Sequence, residues 1–546
     1  MGNSVLQASV PTTGLAGLKA NWRQDIAAGF LVFLIALPLC LGVAVASGFP
    51  PMAGILSAII GGLLVSRING SYLTITGPAA GLVVVIFSAV QSLGQGDVMA
   101  GYRCTLAAIV VAGVLQIALG LYKAGRLAAF FPASVVHGML AAIGIIIMAK
   151  QIPVMVGVKT EGGSMLSSIA QLPHGLAYFI PEIAFVALAG MAILIGWPQV
   201  QNRLLKKIPA PILVILSGIA LGQVFDLAHI RPGESFMVPK DLIIGPEFLV
   251  SIPDSLLASI YLPDFSKVFT GAFWESVIAI CLVGSLESLL SAAAVDKLDP
   301  YKRYSDLNRD LKAVVIGNTV AGLIGGLPMI AEIVRSSANI DGGARSGWSN
   351  FCHGAFLLLF VMALPHVIDT IPLASLAALL VYTGFRLASP KAFAKSLDLG
   401  REQLALFVLT IVSVLATNLL AGVLIGIAAK LLLHVGRGVP LRNLLTISYR
   451  LERKDVNTCV IRVSGSAIFS NFIALKSEVA EIPGDKTLIF DLSDAYLIDH
   501  TVMEFIDHFR DDYIERGGRC EIHGLASHEP YADHALAARK HKPLQG

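Results

Sequence analysis

Charged residues are scarce in this chain. Of its 546 residues only 14% are Asp, Glu, Lys or Arg, whereas 55% are hydrophobic; an ordinary soluble domain has about 25% charged residues. So few charges could not cover the surface of a soluble protein, which excludes a cytoplasmic globular enzyme for most of the length. Disorder is excluded as well, because a chain this apolar buries enough surface to offset its ordering entropy. The composition predicts a polytopic α-helical membrane protein.

Cysteine is also sparse, and its six copies lie far apart without a Cys-x-x-Cys pair or a Cys/His cluster. This spacing supports neither a disulfide framework nor a zinc site. We find no nucleophile elbow, phosphate loop or metal cluster in a confirming context. We therefore predict that the protein is not an enzyme, and that it has no metal site, no cofactor beyond a coupling ion and no nucleic-acid partner.

Apolar runs long enough to cross a bilayer recur along most of the chain. A helix needs about 20 residues to cross the hydrocarbon core. The long runs occupy residues 26–47, 51–66, 101–121, 130–149, 182–198, 209–225, 272–295, 311–327, 350–365, 372–388, 403–419 and 420–434. Two further segments, 79–91 and 333–340, are apolar but too short to cross.

Each short segment follows an extended-looking stretch that ends in a breaker or a charge, residues 73–78 and 327–332 respectively. Interrupted helices at corresponding places in two halves are the best sequence pointer to an inverted repeat with a site at the membrane midplane. The sequence therefore predicts fourteen transmembrane segments, arranged as a 7+7 inverted repeat.

Lysine and arginine are distributed unevenly between the loops. If the N-terminus is cytoplasmic, the loops on its side hold most of them, among them Lys19, Arg67, Arg386, Lys391 and Arg401, and the outer loops hold few. The positive-inside rule then predicts a multi-pass protein of the inner (plasma) membrane with both termini in the cytoplasm. It also predicts a cytoplasmic segment at 1–25 and a transmembrane domain at 26–435.

The composition changes abruptly near residue 436. Short strands are predicted at 460–463, 487–492 and 519–523, and amphipathic helices at 470–482 and 500–516. Alternation of strands and helices is typical of a small α/β domain. We assign this cytoplasmic domain to residues 436–530 and a loosely ordered tail to 531–546.

Five stretches carry a family resemblance: 35–38 with 47–51, 76–80, 317–318 with 325–328, 334–339, and the C-terminal domain. Together they resemble the sulfate permease (SulP) family, the bacterial relatives of prestin and pendrin, and the C-terminal domain resembles the STAS domain of that family. The resemblance implies a fourteen-segment transporter with core and gate domains that moves small anions. It also implies a homodimer, with the STAS-like domain as an assembly scaffold.

The two short helices suggest an anion site. If both begin near the membrane middle, their free N–H groups and positive dipole ends converge there, and such an end binds an anion without further ligands. Arg335 would add a fixed positive charge. The predicted substrate-binding residues are Gly77, Pro78, Ala79, Ala80, Arg335, Ser336 and Ser337. One alternative for Arg335 is a structural salt bridge to Glu332 or Glu287. The alternative for Gly77-Pro78 is that the pair only marks a helix boundary.

Glu287 belongs to a narrow polar stripe with Gly284, Ser288 and Ser291 on an otherwise apolar helix. A desolvated carboxylate can carry a proton, whereas a sodium site needs several oxygen ligands, so proton coupling is predicted over sodium coupling. The resemblance supports this, because an acidic residue in the eighth segment is associated with coupling in the family. The predicted coupling residues are Glu287, Glu332 and Ser291.

Glu332 departs from the small or hydroxyl residue that the family usually has before this arginine. It either neutralises Arg335 or acts as a second coupling group. Because uracil-type permeases share the presumed fold and use two carboxylates, nucleobase–proton symport stays an alternative to transport of sulfate or bicarbonate. An anion-responsive sensor or channel is another.

Three further side chains are candidates for function: His137, His353 and Thr501. His137 and His353 are lone histidines on apolar runs, for which packing or interfacial roles are expected rather than proton relay. Asp499-His500-Thr501 lies where anti-sigma antagonists carry a phosphorylation motif, and only Thr501 keeps a hydroxyl there. A scaffold role is expected for this domain, with phosphorylation of Thr501 as the alternative.

Overall fold

The computed structural model describes residues 11–542 with internal gaps. The gaps are 122–131, 159–178, 202–207, 233–242, 254–255, 302, 456, 480–481, 483–485 and 516. The outer parts of the predicted 1–25 segment and 531–546 tail, residues 1–10 and 543–546, therefore lie outside the described residues. The chain forms two compact units, one of residues 1–125 and 143–386, the other of residues 126–142 and 387–546.

Helices dominate the chain as far as residue 436. In chain order, the helices of nine or more residues are α1 Gly14–Ala46, α2 Pro51–Ile60, α3 Val83–Gly94, α4 Val98–Leu121, α5 Ala133–Met155, α6 Pro181–Gly196, α7 Ala210–Val224, α8 Gly271–Leu298, α9 Leu307–Ile324, α10 Ile333–Asp341, α11 Trp348–Ala363, α12 Leu373–Leu387, α13 Pro390–Asp398, α14 Arg401–Ala416 and α15 Leu419–Gly436. Within the described residues, eight helices are long and apolar enough to cross a membrane. The count of fourteen segments and their inverted repeat stay predictions.

Helix α1 begins at Gly14, before the apolar run predicted at 26–47, and the start of the transmembrane domain at residue 26 stays a prediction. The early turns are polar but not solvated throughout, because Asp25 is fully buried. Its carboxylate accepts hydrogen bonds from the backbone N–H groups of Arg345 (2.8 Å) and Ser346 (3.1 Å), and from the Ser346 hydroxyl. Because the buried carboxylate has these hydrogen-bond donors, the helix can include a polar stretch that hydropathy alone assigns to a separate segment.

Both predicted extended stretches are strands that pair with each other. Strand β1, Ile75–Pro78, runs antiparallel to β2, Met329–Glu332, with Ile75 opposite Glu332 and Pro78 opposite Met329. After β1, one 3-10 turn at Ala80–Leu82 leads into α3, and α10 begins directly after β2. The two predicted short segments are therefore half-helices, and each starts at the end of a strand of the same pair.

Side chains from neighbouring helices complete the hydrogen bonding of this strand pair. The Ser336 hydroxyl accepts from the backbone N–H of Ile75 at 2.8 Å. The Asn318 amide oxygen accepts from the N–H of Met329 at 2.6 Å, and the Asn339 amide donates to the carbonyl of Leu73 at 2.9 Å. Backbone groups inside a membrane protein need internal partners, which these polar side chains supply.

The C-terminal domain of the second unit is a mixed sheet with helices. Its elements are β3 Ser448–Arg453, β4 Thr458–Ala467, α16 Ile473–Val479, β5 Thr487–Asp491, β6 Ala495–Ile498, α17 His500–Glu515, β7 Arg519–His523, β8 His528–Pro530 and β9 Arg539–His541. The strands lie in the order β8-β9-β6-β4-β5-β7, with β3 added beside β4, and β4, β5, β6 and β7 pair in parallel. The predicted strands and helices are all present in this α/β domain.

The tail was predicted to be loosely ordered from residue 531, and this is wrong for its middle part. Strand β9 pairs antiparallel with both β8 and β6, and Ala537 and Ala538 before it are buried. The sequence hides this strand because Arg539-Lys540-His541 has no apolar alternation. Its backbone pairing, rather than its side chains, ties it to the sheet.

A buried ion pair joins α15 to the start of α17 within the second unit. Lys430 and Asp499 are both fully buried, with Nζ of the lysine 2.8 Å from Oδ1 of the aspartate. The other carboxylate oxygen lies 3.5 Å from Nε2 of His434. Burial alone would raise the pKa of Asp499, but the charge of Lys430 and the contact with His434 outweigh it, so the pKa lies well below its ordinary value.

We predict that breaking this pair destabilises the second unit far more than breaking a surface pair. Lys430→Ala leaves Asp499 buried without its main counter-charge, which costs about 3–5 kcal/mol. Arg462→Ala is the matched control, since Arg462 pairs with Asp491 while half-exposed and such pairs contribute only about 0–1 kcal/mol. Thermal unfolding midpoints of the purified full chain in detergent measure the difference.

The sign of the pH dependence follows from the lowered pKa of Asp499. The stabilisation is complete above the ordinary aspartate range and is lost only as the pH falls through the lower folded-state pKa. Near-neutral pH is therefore the correct condition for the comparison. Equal midpoints for Lys430→Ala and Arg462→Ala would contradict the prediction.

Candidate anion site

Arg335 lies in the first turn of half-helix α10 and is only 2% exposed. Its Nη1 donates to the sulfur of Cys40 on α1 at 3.4 Å. The same guanidinium lies against Gly77 of β1, where a side-chain carbon would overlap Nη1. Its Nε has no hydrogen-bond partner among the described residues. A guanidinium is always charged, so this group puts a fixed positive charge in the interior of the first unit.

The sequence left open a structural salt bridge from Arg335 to a nearby glutamate. In the part of the chain that the structure describes, no ion pair joins Arg335 to Glu332 or Glu287. Glu332 lies within electrostatic range of Arg335 but makes no hydrogen bond or ion pair with it among the described residues. A buried cation without a paired carboxylate is costly and calls for an anion from elsewhere.

The predicted substrate-binding residues of the first half follow one another through the strand–helix junction. Gly77 and Pro78 are the last residues of β1 and are buried. The N–H of Ala79 donates to the carbonyl of Pro328 at 3.2 Å, and Ala80 opens the turn that leads into α3. An α-helix leaves its first N–H groups without intrahelical partners, so this junction presents donors beside Arg335.

The two predicted serines of the second half differ in their contacts. The Ser336 hydroxyl is buried and accepts from the backbone of Ile75, which leaves its own O–H free to donate elsewhere. Ser337 is half-buried. Direct contact of either serine with an anion stays a prediction.

Glu287 lies on α8 with its carboxylate against Gly81, where any side-chain carbon would overlap both carboxylate oxygens. Its Oε2 is buried without a hydrogen-bond partner in the described part of the chain. The neighbouring Ser288 is buried, and its hydroxyl accepts from the N–H of Ala331 at 3.4 Å. Ser291, one turn further along the stripe, is also buried.

Glu332 ends strand β2 and precedes α10, yet its carboxylate does not cap its own helix. It lies within electrostatic range of Arg335 and of Glu287. Its Oε1 is buried and has no partner within the described residues. The structure therefore places Glu287 against Gly81 and Arg335 against Gly77 at the junction that leads into α3, with Glu332 opposite Ile75 on the paired strand.

Two residues near Arg335 were not predicted as site residues. Cys40 contacts the guanidinium directly, and His353 on α11 is buried, lies in the field of Arg335 and has no hydrogen-bond partner at either ring nitrogen among the described residues. A lone cysteine or histidine on an apolar run looks like packing, so only the three-dimensional arrangement reveals them. His137 is exposed and belongs to the second unit.

We predict that Arg335→Ala weakens anion binding by about tenfold to a hundredfold, the worth of a charge-assisted hydrogen bond. Equilibrium binding of radiolabelled sulfate to the purified protein measures this change. Arg23→Ala, which removes an exposed arginine of α1, is the control. Unchanged affinity in an Arg335→Ala protein that still folds, by gel filtration and thermal midpoint, would contradict the assignment.

Gly77→Ala tests the contact between β1 and the guanidinium. The added methyl group overlaps Nη1 and must displace Arg335, so we expect a similar loss of affinity. In the Arg335→Ala background the same change should have little further effect, because the two residues act through one contact. Gly196→Ala is the matched control, since a methyl group there meets no neighbour. If the double variant loses as much binding free energy as the sum of the losses in Gly77→Ala and Arg335→Ala, the two residues are not coupled and the prediction is wrong.

Two known proteins are similar to most of the chain. The putative sulfate transporter YvdB of Bacillus subtilis is 26% identical over 517 residues, which cover 93% of this chain and 92% of that protein. The bicarbonate transporter BicA of a Picosynechococcus strain is 26% identical over 442 residues, covering 80% and 73%.

Solved structures share the fold. The transmembrane domain of a cyanobacterial bicarbonate transporter BicA superimposes with a TM-score of 0.63 at 22% identity, covering 74% of this chain and 97% of that domain. The overall structure of SLC26A9 gives a TM-score of 0.65 at 14% identity, covering 92% and 84%.

The family assignment rests on a match that covers more than half of the chain. The sequence model of the Sulfate permease family matches residues 22–413, which include both strands, both half-helices and Arg335. The resemblance inferred from the sequence motifs is thereby confirmed, and the chain belongs to the sulfate permease family.

Proposed function

We propose that the protein is a secondary active transporter of small inorganic anions, with sulfate and bicarbonate as the leading substrates. The anion binds between the starts of half-helices α3 and α10, beside Arg335, and reaches either side of the membrane by alternating access. Anion movement is coupled to protons through Glu287. Glu332 and Ser291 line the same coupling region.

The observation that carries this proposal is the buried Arg335 without an ion-pair partner. It lies where a broken helix presents N–H donors, and the combination attracts an anion by charge and by hydrogen bonding. Such a site distinguishes anions by their charge and size rather than by a specific recognition motif. Sulfate and bicarbonate enter as candidates because relatives of the chain are named as transporters of these ions.

Proton coupling is favoured by the surroundings of Glu287. The neighbouring polar groups on its helix are serines, and Ser288 is already engaged with the backbone of Ala331. One desolvated carboxylate suffices to carry a proton, whereas a sodium ion takes several oxygen ligands. The proposal therefore assigns coupling to protons.

The architecture of the transporter completes the proposal. We infer fourteen transmembrane segments in a 7+7 inverted repeat with core and gate domains, placed in the inner membrane with both termini cytoplasmic. The C-terminal sheet domain acts as a STAS domain that supports a homodimer. Family membership and the half-helix pair support this arrangement.

Uptake by proteoliposomes tests the proposal as a whole. Radiolabelled sulfate and bicarbonate are offered separately under imposed proton and sodium gradients. Net accumulation of either anion supports transport, whereas anion binding without flux points to a sensor. Uptake of uracil that competes with the anions would favour nucleobase–proton symport.

We predict that Glu287→Gln abolishes the acceleration of anion uptake by an inward proton gradient. The amide keeps the shape of the side chain but mimics a permanently protonated carboxyl, so anion binding and anion exchange remain measurable. Glu275→Gln, at an exposed position of the same helix, is the control. Uptake into proteoliposomes with and without the gradient gives the readout.

Two results would contradict this prediction. If the Glu287→Gln protein still responds to the proton gradient, another group carries the proton, with Glu332 the first candidate. If wild-type uptake depends on sodium and ignores pH, coupling is not to protons at all.

A further inference from the structure

Lys150 lies in the proposed membrane domain with its ammonium group on an aromatic ring. It is near the end of α5 and half-buried, and its Nζ is 3.0 Å from the ring centroid of Phe87 on half-helix α3. In the part of the chain that the structure describes, no carboxylate pairs with Lys150. Because a lysine in a membrane-spanning helix is costly, it is expected to be either paired or functional.

Lys430 shows how this chain places a lysine in a membrane-spanning helix when its role is structural. Lys430 is fully buried, and its Nζ is 2.8 Å from Oδ1 of Asp499. Lys150 differs in both respects, because it is half-buried and a cation–π contact takes the place of the ion pair. Such a contact is weaker than a charge-assisted hydrogen bond to an anion. An anion that reaches Lys150 can therefore take the ammonium group from the ring.

The ring under Lys150 belongs to the half-helix that begins at the proposed anion site. Phe87 is one helical turn past Val83, the first residue of α3, which is a rise of about 6 Å. Arg335 lies against the strand that precedes this helix. Lys150 is thus a second positive group beside α3, further along the helix than Arg335. Since the predicted topology puts this end of α5 at the outer face of the membrane, an anion that enters from outside meets Lys150 first.

The ring of Phe87 is held in place, whereas the lysine is free to turn. A side-chain carbon at Gly48, which has a left-handed backbone in the turn between α1 and α2, would lie 3.6 Å from the ring, so this turn packs against it. Lysine carries its ammonium group on a flexible four-carbon chain. The ammonium group can therefore leave the ring without a movement of either helix.

We infer that Lys150 is a second anion-binding group, on the outer side of the Arg335 site. Its ammonium group rests on Phe87 while no anion is near, and leaves the ring to bind an incoming small inorganic anion before that anion passes to Arg335. The inference rests on the proposed function and deepens it. A positive group at the entrance raises the local concentration of anions and their rate of entry.

Initial rates of radiolabelled sulfate uptake by proteoliposomes of the full chain test the inference; bicarbonate replaces sulfate if only bicarbonate is taken up. Lys150→Met removes the charge and should raise KM about tenfold at low ionic strength, the worth of a charge-assisted hydrogen bond. Lys150→Arg keeps the charge and should stay near the wild-type KM. In Phe87→Leu the KM should not rise, because the ammonium group loses only its resting place. Lys267→Met, which removes a lysine from another predicted outer segment, is the control.

Lys150→Cys tests the effect of charge alone. Two membrane-impermeant methanethiosulfonates of similar size, the trimethylammonium-ethyl and the sulfonatoethyl reagent, attach opposite charges to the thiol. The positive adduct should lower the KM of the cysteine variant toward that of the wild type, whereas the negative adduct should raise it further. Bound sulfate should slow both modifications. The wild type with its six native cysteines, treated in the same way, is the control.

The possible outcomes separate this inference from the proposed function. Equal KM values for the wild type and Lys150→Met overturn the inference and leave the proposed function intact. If Phe87→Leu raises KM as much as Lys150→Met does, the contact is a structural clamp and the inference is wrong. Recovery with both adducts would show that size matters rather than charge, and would also overturn it. If the wild type neither binds nor takes up sulfate or bicarbonate, the proposed function fails and the inference with it.

Discussion

Backbone N–H and C=O groups inside a membrane need partners within the protein, and the site depends on how this chain meets that requirement. Where two helices are broken, strands β1 and β2 pair with each other. Ser336, Asn318 and Asn339 satisfy the groups around the pair. Because both half-helices start at the ends of this one ladder, their N-termini and Arg335 are placed by backbone pairing and not by flexible loops.

The same ladder explains why the charges are close but not paired. Arg335 is turned toward Gly77 and Cys40, which offer a close backbone approach and a soft acceptor but no counter-charge. Glu332 forms no ion pair with Arg335 among the described residues, and its Oε1 is buried without a hydrogen-bond partner there. A guanidinium bonded to its own carboxylate would lose its attraction for a transported anion. The observed arrangement keeps the positive charge available and holds the negative charges nearby.

Much of this could be predicted from local signals. Breaks in hydropathy revealed both half-helices, because a segment too short to cross a bilayer stands out by length alone, and Arg335 and Glu287 stood out as charges in apolar surroundings. What stayed hidden is non-local. The register that places Glu332 opposite Ile75, and the hydrogen bond from the N–H of Ile75 to Ser336, have no signal in either stretch alone. Cys40 and His353 look like packing residues until the fold brings them to Arg335.

In the C-terminal domain too, the contacts of a sequence motif become visible only in the folded structure. Asp499-His500-Thr501 matches the place of a phosphorylation loop, but in this chain Asp499 is fully buried on Lys430 of α15. The Thr501 hydroxyl accepts from the N–H of Ala133 at 3.4 Å, so it too is engaged with a helix outside the sheet domain. A lysine in an apolar helix is costly unless paired, and its partner lies in the domain that follows. Helix α15 and the sheet domain therefore stabilise each other, which favours a structural role for this loop over a modified one.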